Sequence, residues 1–339
     1  MSEIEKIAKQ IIAKGRGILA ADESTGTMTK RLSSVNVEST AENRLKFRET
    51  LFSSEGMKNY IGGVILYDET IKQKTSSGKT IPELIENSGS VPGIKVDTGA
   101  KKLAGSSEEK ITEGLDRLRE RLTEYYKLGA RFTKWRAVYN ISDKFPSELS
   151  IKSNAHALAR YAALAQEAKM VPIVEPEVLM DGDHDINKCY EITSKVLKEC
   201  YKELALHKIN LKGTLLKPNM ILSGDKSKNK SNSLEIAKIT IKCIKENVPS
   251  EVPGIAFLSG GQTEVEATQN LNEINKINDT NFLMSFSYGR ALQQSALKNW
   301  GKNINDTNNT QKIFNHRSKM NGLSTTAKWN IKLENHVSA

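Results

Sequence analysis

Length, composition and charge limit the classes of protein to which this chain of 339 residues can belong. With 38% hydrophobic and 27% charged residues it has the material for a large core, which excludes a disordered chain. The net charge of +10 comes from Lys and Arg scattered along the sequence, so we expect a phosphorylated small molecule and no nucleic acid as partner. We expect no membrane span, because no apolar run reaches ~18 residues.

The first residues mix Glu and Lys with Ile at helical spacing, which predicts an amphipathic helix over residues 1–15 and not a signal peptide. We therefore expect a cytoplasmic protein. Cys189, Cys200 and Cys243 are odd in number and widely spaced, so we interpret them as buried thiols and not as a disulfide framework or a zinc site.

Short apolar segments recur along the chain, and each runs into polar or Gly-rich residues at its carboxyl end. This rhythm, with helical spacing between the segments, is typical of an α/β fold, the (β/α)8 TIM barrel. We predict one such domain over residues 1–300 with an N-terminal helix, and an extended C-terminal tail, 301–339, that belongs to the same domain. The predicted strands are 17–22, 64–69, 93–97, 132–138, 171–177, 213–218, 254–261 and 283–289.

Three of the intervening helices are marked clearly. Apolar residues at helical spacing predict one over residues 115–129 and another through Leu234, Ala237 and Ile241. A third is predicted to begin at Thr263, which forms a capping box with Glu266. The Asn- and Lys-rich stretch after Trp300 is predicted to be mobile until it docks.

Charged residues follow the strands in pairs at positions i and i+2, which lie on the same face of a strand. Burying such pairs in a structural core is costly, whereas a polar barrel mouth that binds an anionic substrate offsets the cost. The alternative is a network of structural ion pairs that lines the barrel. The pairs are Lys95 with Asp97, Lys134 with Arg136, and Glu175 with Glu177.

Lys217 ends an apolar strand, and Pro218 favours an extended backbone there. Two cations, Lys134 and Arg136, are expected nearby and would favour a neutral, nucleophilic amine. A lysine in this context is otherwise most often a surface residue.

Acid–base groups are expected beside this lysine. Glu175 and Glu177 flank Pro176, and two carboxylates confined together should leave one of them protonated near neutral pH. Asp22 ends the first strand and offers a further base, although a helix N-cap is the alternative.

Two consecutive loops are predicted to bind phosphate, the position where barrels often do so. Glycines let backbone N–H groups approach an anion, and an arginine grips two of its oxygens. Each loop alone is equally compatible with an ordinary turn. The residues are Ser259, Gly260 and Gly261 after the seventh strand, and Ser287, Gly289 and Arg290 after the eighth. A second cluster beyond strand one contains Ser24, Thr27, Lys30 and Arg31.

A metal site would supply the same chemistry by another route. The histidines His156, His184, His207, His316 and His336 lack the spacing of known zinc motifs, so we predict none. The acidic loop 181–185 is the remaining candidate for a cation.

From about residue 15 to residue 301 the chain resembles the class I fructose-bisphosphate aldolases. The resemblance lies in the motifs GRGILAADESTGTMTKRL, GGVILYDET, PGIKVDTG, FTKWRAV, VPIVEPEVL, GTLLKPNM, FLSGGQTEVEAT and FSYGRALQQSALKNWG, which occur in the family's order.

The resemblance implies a metal-free lyase without a cofactor, in which Lys217 forms a Schiff base with the substrate. Glu175 would handle protons and Asp22 would take one from the C4 hydroxyl. The remaining implied roles are perturbing cations (Lys134, Arg136) with their neighbour Glu177, a C1-phosphate site (Ser259, Gly260, Ser287, Arg290) and a C6-phosphate site (Arg31, Ser24, Thr27, Lys95).

The resemblance also implies a homotetramer, with Asp116 in a segment similar to one near the family's subunit contacts, and secondary cytoskeletal or acidic protein partners. Family members usually end in a tyrosine that assists proton exchange; this sequence ends at Ala339 without one. We expect cleavage to survive that difference. Preference for fructose 1-phosphate, and a binding role on the basic surface, are the alternatives.

Overall fold

The computed structural model describes residues 1–106 and 108–337, without the side chains of 336 and 337. The end of the chain, on which the expectation about a terminal tyrosine depends, therefore lies outside the described residues. The strands are β1 Gly17–Ala21, β2 Ile61–Leu66, β3 Val91–Lys95, β4 Gly99–Lys102, β5 Lys110–Glu113, β6 Phe132–Tyr139, β7 Val171–Val178, β8 Leu215–Leu216, β9 Gly254–Phe257 and β10 Leu283–Tyr288.

The helices lie between the strands and after them. They are α1 Glu3–Ile11, α2 Thr25–Ser33, α3 Ala41–Phe52, α4 Glu55–Tyr60, α5 Asp68–Ile71, α6 Ile81–Asn87, α7 Leu118–Lys127, α8 Glu148–Glu167, α9 Ile186–Leu206, α10 Ser233–Asn247, α11 Glu264–Ile277, α12 Arg290–Lys302 and α13 Thr307–Ser324. Short 3-10 helices cover Leu211–Gly213 and Ile331–Val337.

The parallel strands close into a barrel in the order β1-β10-β9-β8-β7-β6-β3-β2. Each predicted strand segment contains or overlaps one of these strands, which confirms the TIM barrel. Several strand bounds differ from the prediction, since β3 covers Val91–Lys95 and not 93–97, and β9 ends at Phe257 and not at 261. The second strand begins at Ile61 and ends at Leu66, because Asp68 already starts α5, and the sixth strand of the barrel keeps only Leu215 and Leu216.

The lower half of the barrel interior is apolar. Its core contains Ile18, Phe132, Ile173 and Leu215 from alternate positions of the strands, and Ile11 of α1 packs against it from below. The strand glycines make room for the largest of these side chains: a Cβ on Gly93 would lie 2.3 Å from the Phe132 ring. The amphipathic N-terminal helix, predicted from its spacing, therefore covers the amino end of the barrel.

The stretch after Trp300, which is predicted to be mobile until it docks, is docked in the structure and is largely helical. It forms α13, which packs against α3, α4, α11 and α12. Phe314 is fully buried in this contact, and Arg317 donates to Thr268 at 2.7 Å. Helical periodicity is weak here because the helix buries Thr, Ser and Asn as well as apolar side chains.

A hairpin of β4 and β5 follows β3 and was not predicted. Its strands are polar and lack a clear alternation of apolar residues, so the sequence carries little strand signal there. Thr112 of β5 donates to the Arg136 backbone carbonyl at 2.7 Å, which connects the hairpin to the rim of the barrel.

Candidate active site

The polar residues that follow the barrel strands line one cavity of about 540 Å³ at the carboxyl ends of the strands. Lys30, which the sequence groups with this site, is exposed on α2 and does not line the cavity. All the other predicted site residues do: Asp22, Ser24, Thr27, Arg31, Lys95, Lys134, Arg136, Glu175, Glu177, Lys217, Ser259, Gly260, Gly261, Ser287, Gly289 and Arg290.

The innermost part of the cavity is a buried cluster of two cations and two anions. Lys134 Nζ lies 2.7 Å from Asp22 Oδ2 and 3.4 Å from Glu175 Oε2. Lys217 Nζ lies 3.0 Å from Glu175 Oε1. Both lysine side chains are 5% exposed, so Glu175 lies between two ammonium groups that water barely reaches.

The backbone explains why Lys217 points into the cavity. Leu215, two residues earlier on the same face, belongs to the apolar interior of the barrel. The amide of Lys217 donates to Val174 O at 2.8 Å and extends the pairing with β7 by one residue. Pro218 then keeps the chain extended, so its carbonyl accepts from Leu258 N at 3.0 Å. Lys217 is thus held on rigid strand backbone.

Charge pairing outweighs burial for three members of this cluster. Burial raises the pKa of the Asp22 carboxyl, but the charges of Lys134 and Lys217 together lower that pKa by more than burial raises it. The pKa of Asp22 therefore lies below its usual range. Glu175 follows the same balance: burial raises its pKa, and Lys134 and Lys217 bring it below the ordinary value. Burial lowers the pKa of Lys134, whereas Asp22 and Glu175 raise it above the ordinary value. Asp22, Glu175 and Lys134 are therefore charged near neutral pH.

This geometry corrects the prediction that Glu175 and Glu177 compete for one proton. Each carboxylate has its own cation, because Arg136 donates through Nε to Glu177 Oε2 while Glu175 contacts the two lysines. The structure does bring a carboxylate beside Lys217, as the sequence predicts, since Glu175 contacts its amine. Whether Glu175 can carry a proton then depends on the protonation of the lysines that it contacts.

On one side of the cavity, the loops after β9 and β10 present backbone and hydroxyl groups. Gly260 and Gly261 have φ values of +54° and +84°, which lets the chain turn at the cavity wall. Within the described residues, the buried Oγ of Ser287 has no hydrogen-bond partner. Arg290 is exposed at the first position of α12. Backbone N–H groups, hydroxyls and guanidinium groups are those that bind anions in proteins, so this wall is a candidate phosphate site.

Beside this wall, the loop after β1, the strand that pairs with β10, leads into α2. Ser24 caps this helix and accepts from Thr27 N at 3.4 Å. Arg31 donates to Glu23 Oε1, so its guanidinium is held at the edge of the cavity. Lys95 Nζ lies 3.5 Å from Asp97 Oδ1 on the neighbouring wall.

Glu23 and Arg48 are members of the site that the sequence analysis missed. Glu23 accepts from Arg31 and also from Gln293 Nε2, at 3.2 Å. Arg48, 1% exposed on α3, donates to the backbone oxygen of Glu23 at 2.8 Å. Glu23 directly follows Asp22, which was a usable signal, whereas nothing in the sequence around Arg48 shows that it reaches the barrel.

The acidic loop 181–185 divides between two places. Asp181 lines the main cavity, and Asp183 and Asp185 lie at a separate pocket beside Lys226. Asp185 caps α9 by accepting from Lys188 N at 2.8 Å. The role of Asp185 is therefore structural, and the carboxylates of the loop lie at two separate places.

Comparison with known proteins adds independent evidence to this geometry. Residues 3–339 match the family model for fructose-bisphosphate aldolase class-I. The chain belongs to the class I fructose-bisphosphate aldolase family. Like other members of the family, it is a carbon–carbon lyase of glycolysis that acts on sugar phosphates.

Relatives and a solved structure agree over nearly the whole chain. A probable class 1 aldolase of Xanthomonas campestris pv. campestris is 49% identical, over 97% of this chain and 99% of the relative. The cytosolic fructose-bisphosphate aldolase 4 of Arabidopsis thaliana is 51% identical, over 94% and 81% respectively. The aldolase of Plasmodium falciparum, solved with TRAP and an inhibitor, superposes with a TM-score of 0.95 at 42% identity, over 97% of this chain and 95% of that one. In the part of the chain that the structure describes, no helix is long and apolar enough to cross a bilayer.

Proposed function

We propose that Lys217 is the Schiff-base lysine of this aldolase and that the groups around it carry the proton transfers. The observation that supports this most directly is the buried contact of Lys217 Nζ with Glu175 Oε1 at 3.0 Å, inside a cavity that serine, glycine and arginine residues also line. A buried lysine next to a carboxylate suits imine formation, which consumes the amine and needs a proton carrier.

In the proposed reaction, Lys217 first forms an imine with the substrate, and the C3–C4 bond then breaks. The Lys217 amine, after loss of a proton, adds to the C2 carbonyl of fructose 1,6-bisphosphate. The carbinolamine hydroxyl leaves as water with a proton delivered through Glu175, and the protonated imine remains. That iminium withdraws the electron pair of the C3–C4 bond while Asp22 takes the proton of the C4 hydroxyl. Glyceraldehyde 3-phosphate leaves, the enamine gains a proton at C3, and hydrolysis of the imine releases dihydroxyacetone phosphate.

Lys134 organises this chemistry without taking part in bond making. Its ammonium contacts both Asp22 at 2.7 Å and Glu175 at 3.4 Å, so it holds the two proton carriers on one side of the reacting carbons. Arg136 does the same for Glu177, to which it donates through Nε.

The proposal assigns each of the two phosphates to its own cluster of cavity-lining residues. We assign the C1-phosphate to the wall of Ser259, Gly260, Gly261, Ser287, Gly289 and Arg290, where an orphaned hydroxyl and a free guanidinium meet backbone N–H groups. We assign the C6-phosphate to Ser24, Thr27, Arg31 and Lys95. No cofactor enters this scheme, since the iminium serves as the electron sink.

Borohydride trapping with dihydroxyacetone phosphate, in excess EDTA, tests the proposal. We expect peptide mass analysis to find one reduced adduct per chain, on Lys217. An adduct on Lys134 instead would move the nucleophile to β6. Loss of activity in the chelator with no adduct would overturn the imine mechanism.

Preference between substrates follows from the second phosphate site. Arg31 and Lys95 favour a bisphosphate, so we propose fructose 1,6-bisphosphate as the main substrate. An enzyme that acts chiefly on fructose 1-phosphate would have a higher kcat/KM on that sugar, and kinetics on both sugars decide between them.

We further propose that the chain is a cytoplasmic homotetramer in which residues 301–339 belong to the barrel domain. The cytosolic aldolases of Arabidopsis thaliana among its relatives support the location. The complex of the Plasmodium falciparum aldolase with TRAP supports protein partners as an additional property. Sedimentation analysis of the purified protein tests the tetramer, and replacement of Lys217 separates lyase activity from any partner binding.

A further inference from the structure

On the outside of the barrel, two histidines and a glutamate from neighbouring helices converge. His156 lies on α8, Glu203 on α9, and His207 caps the carboxyl end of α9. One ligand atom from each residue lies within 4.8 Å of the others. These histidines show no zinc-like spacing in the sequence, because Glu203 lies 47 positions after His156. The packing of α8 on α9 brings them together.

The distances are close to those around a bound metal ion. His156 Nδ1 lies 3.0 Å from Glu203 Oε2. Ligand atoms about 2.0–2.1 Å from a tetrahedral zinc ion are about 3.3 Å apart. The two imidazole rings are 5.2 Å apart, and one ring nitrogen of His207 lies within 4.8 Å of the other two ligand atoms. Small side-chain rotations therefore complete the geometry, and His156, 54% exposed, is free to make them.

The surroundings prepare His207 as a ligand. Its Nδ1 lies 2.9 Å from the backbone oxygen of Glu203, to which it donates when the proton is on that nitrogen. The lone pair of Nε2 is then available, and metal-ligating histidines commonly donate from their second nitrogen in this way. The carboxyl end of a helix, with its partial negative charge, also favours a cation at this place.

We propose that His156, Glu203 and His207 bind a divalent transition-metal ion of the zinc class. Two imidazoles and a carboxylate form a ligand set known for zinc, which leaves a fourth position for water. That position faces a cleft of about 560 Å³ that His156 and His207 line together with Leu115 and Arg160. The charge of Arg160 opposes a divalent ion, so we expect affinity on the order of micromolar.

This site is independent of the lyase chemistry, because the three residues do not line the catalytic cavity. Magnesium ions prefer oxygen ligands and full hydration, so they should not compete. The ion would join α8 to α9 and stabilise the folded chain in proportion to its occupancy.

Isothermal titration of the full-length, EDTA-treated enzyme with zinc chloride tests the proposal. We expect one equivalent bound per chain, and at least tenfold weaker binding in each of H156Q, E203Q and H207Q. The control is E199Q, which removes the same charge one turn earlier on α9, where Glu199 pairs with Lys202. It should bind as the unchanged protein does.

Several outcomes would overturn the proposal. The first is that the unchanged protein binds no zinc at 100 µM, which is on the order of 100 times the expected Kd. The others are that H156Q still binds zinc as the unchanged protein does, or that E199Q and E203Q lose zinc affinity equally. Because His156 is half-exposed, H156Q should fold normally, and unchanged melting without metal and unchanged cleavage rate confirm it. The same titration with magnesium chloride should release no heat beyond dilution.

Discussion

The lower and upper halves of the barrel interior consist of the same strands with the same alternation, yet they differ completely in chemistry. On β6, Phe132 points into the apolar lower half and Lys134 into the charged upper half. On β7, Ile173 and Glu175 divide in the same way. One step of two residues thus separates packing from catalysis. We expect substitutions in the lower half to change stability and those in the upper half to change activity.

The largest effect should come from Lys217→Met. We expect kcat to fall by about 10⁴-fold or more, because no other group can form the imine, while the protein stays folded. A coupled assay on fructose 1,6-bisphosphate and a thermal melt measure the two properties. Lys228→Met, an exposed lysine on the loop after β8, is the control. Retained activity in Lys217→Met would show that Lys217 is not the Schiff-base lysine.

Next in size is Phe132→Ala in the lower half. Removal of a fully buried ring that packs on Gly93 should reduce the free energy of unfolding by ~3–5 kcal/mol, with kcat per folded enzyme within about threefold. Urea unfolding monitored by circular dichroism gives the first number and active-site titration the second. A loss of activity larger than the loss of folded protein would mean that the halves are coupled.

Arg290→Ala should have a smaller effect that is confined to substrate. We expect kcat/KM for fructose 1,6-bisphosphate to fall about 100-fold (~2.7 kcal/mol), mainly through KM, because the proposal assigns Arg290 to the C1-phosphate and not to the reacting carbons. Arg290→Lys keeps the charge and should recover part of the loss. Equal kcat/KM values for the alanine variant and the unchanged enzyme would place the phosphate elsewhere.

The smallest effect concerns acid stability. Asp22 has a lowered pKa in the folded state, so its contribution is present above the unfolded value near 3.9 and is lost as pH falls further. We expect Asp22→Asn to be less stable by ~2 kcal/mol at pH 7, with the difference shrinking below about pH 4. Urea midpoints from pH 7 to pH 2.5 measure it. The lower-half control Phe132→Leu should show a deficit that is constant with pH.

The two halves of the barrel also show how much of the structure could be predicted from the sequence. The period of two placed each charged pair on one face, and the position at strand ends placed it at the mouth of the barrel. The sequence could not show which charges face each other, because the partners come from different strands. Arg136 lies beside Glu175 in register, yet its guanidinium reaches Glu177, and that pairing removes the competition predicted for the two glutamates.

Outside the barrel, predictions from the sequence were wrong or missing where tertiary contacts override the local residue pattern. The helix predicted over 115–129 begins only at Leu118, because Arg117 has a φ of +53°. The helix α13 buries polar side chains such as Asn321, so its periodicity is hidden. His156 and Glu203 meet across two helices, which no spacing rule detects.

Closure of the barrel has a consequence for synthesis of the protein. The first strand, Gly17–Ala21, pairs with β10, Leu283–Tyr288, which the ribosome adds roughly 260 residues later, or ~13–50 s at ordinary translation rates. Throughout that time one edge of the nascent sheet has no partner. Such an edge is a template for aggregation. We therefore expect newly made chains to depend on chaperones until the last strand emerges and the ring is complete.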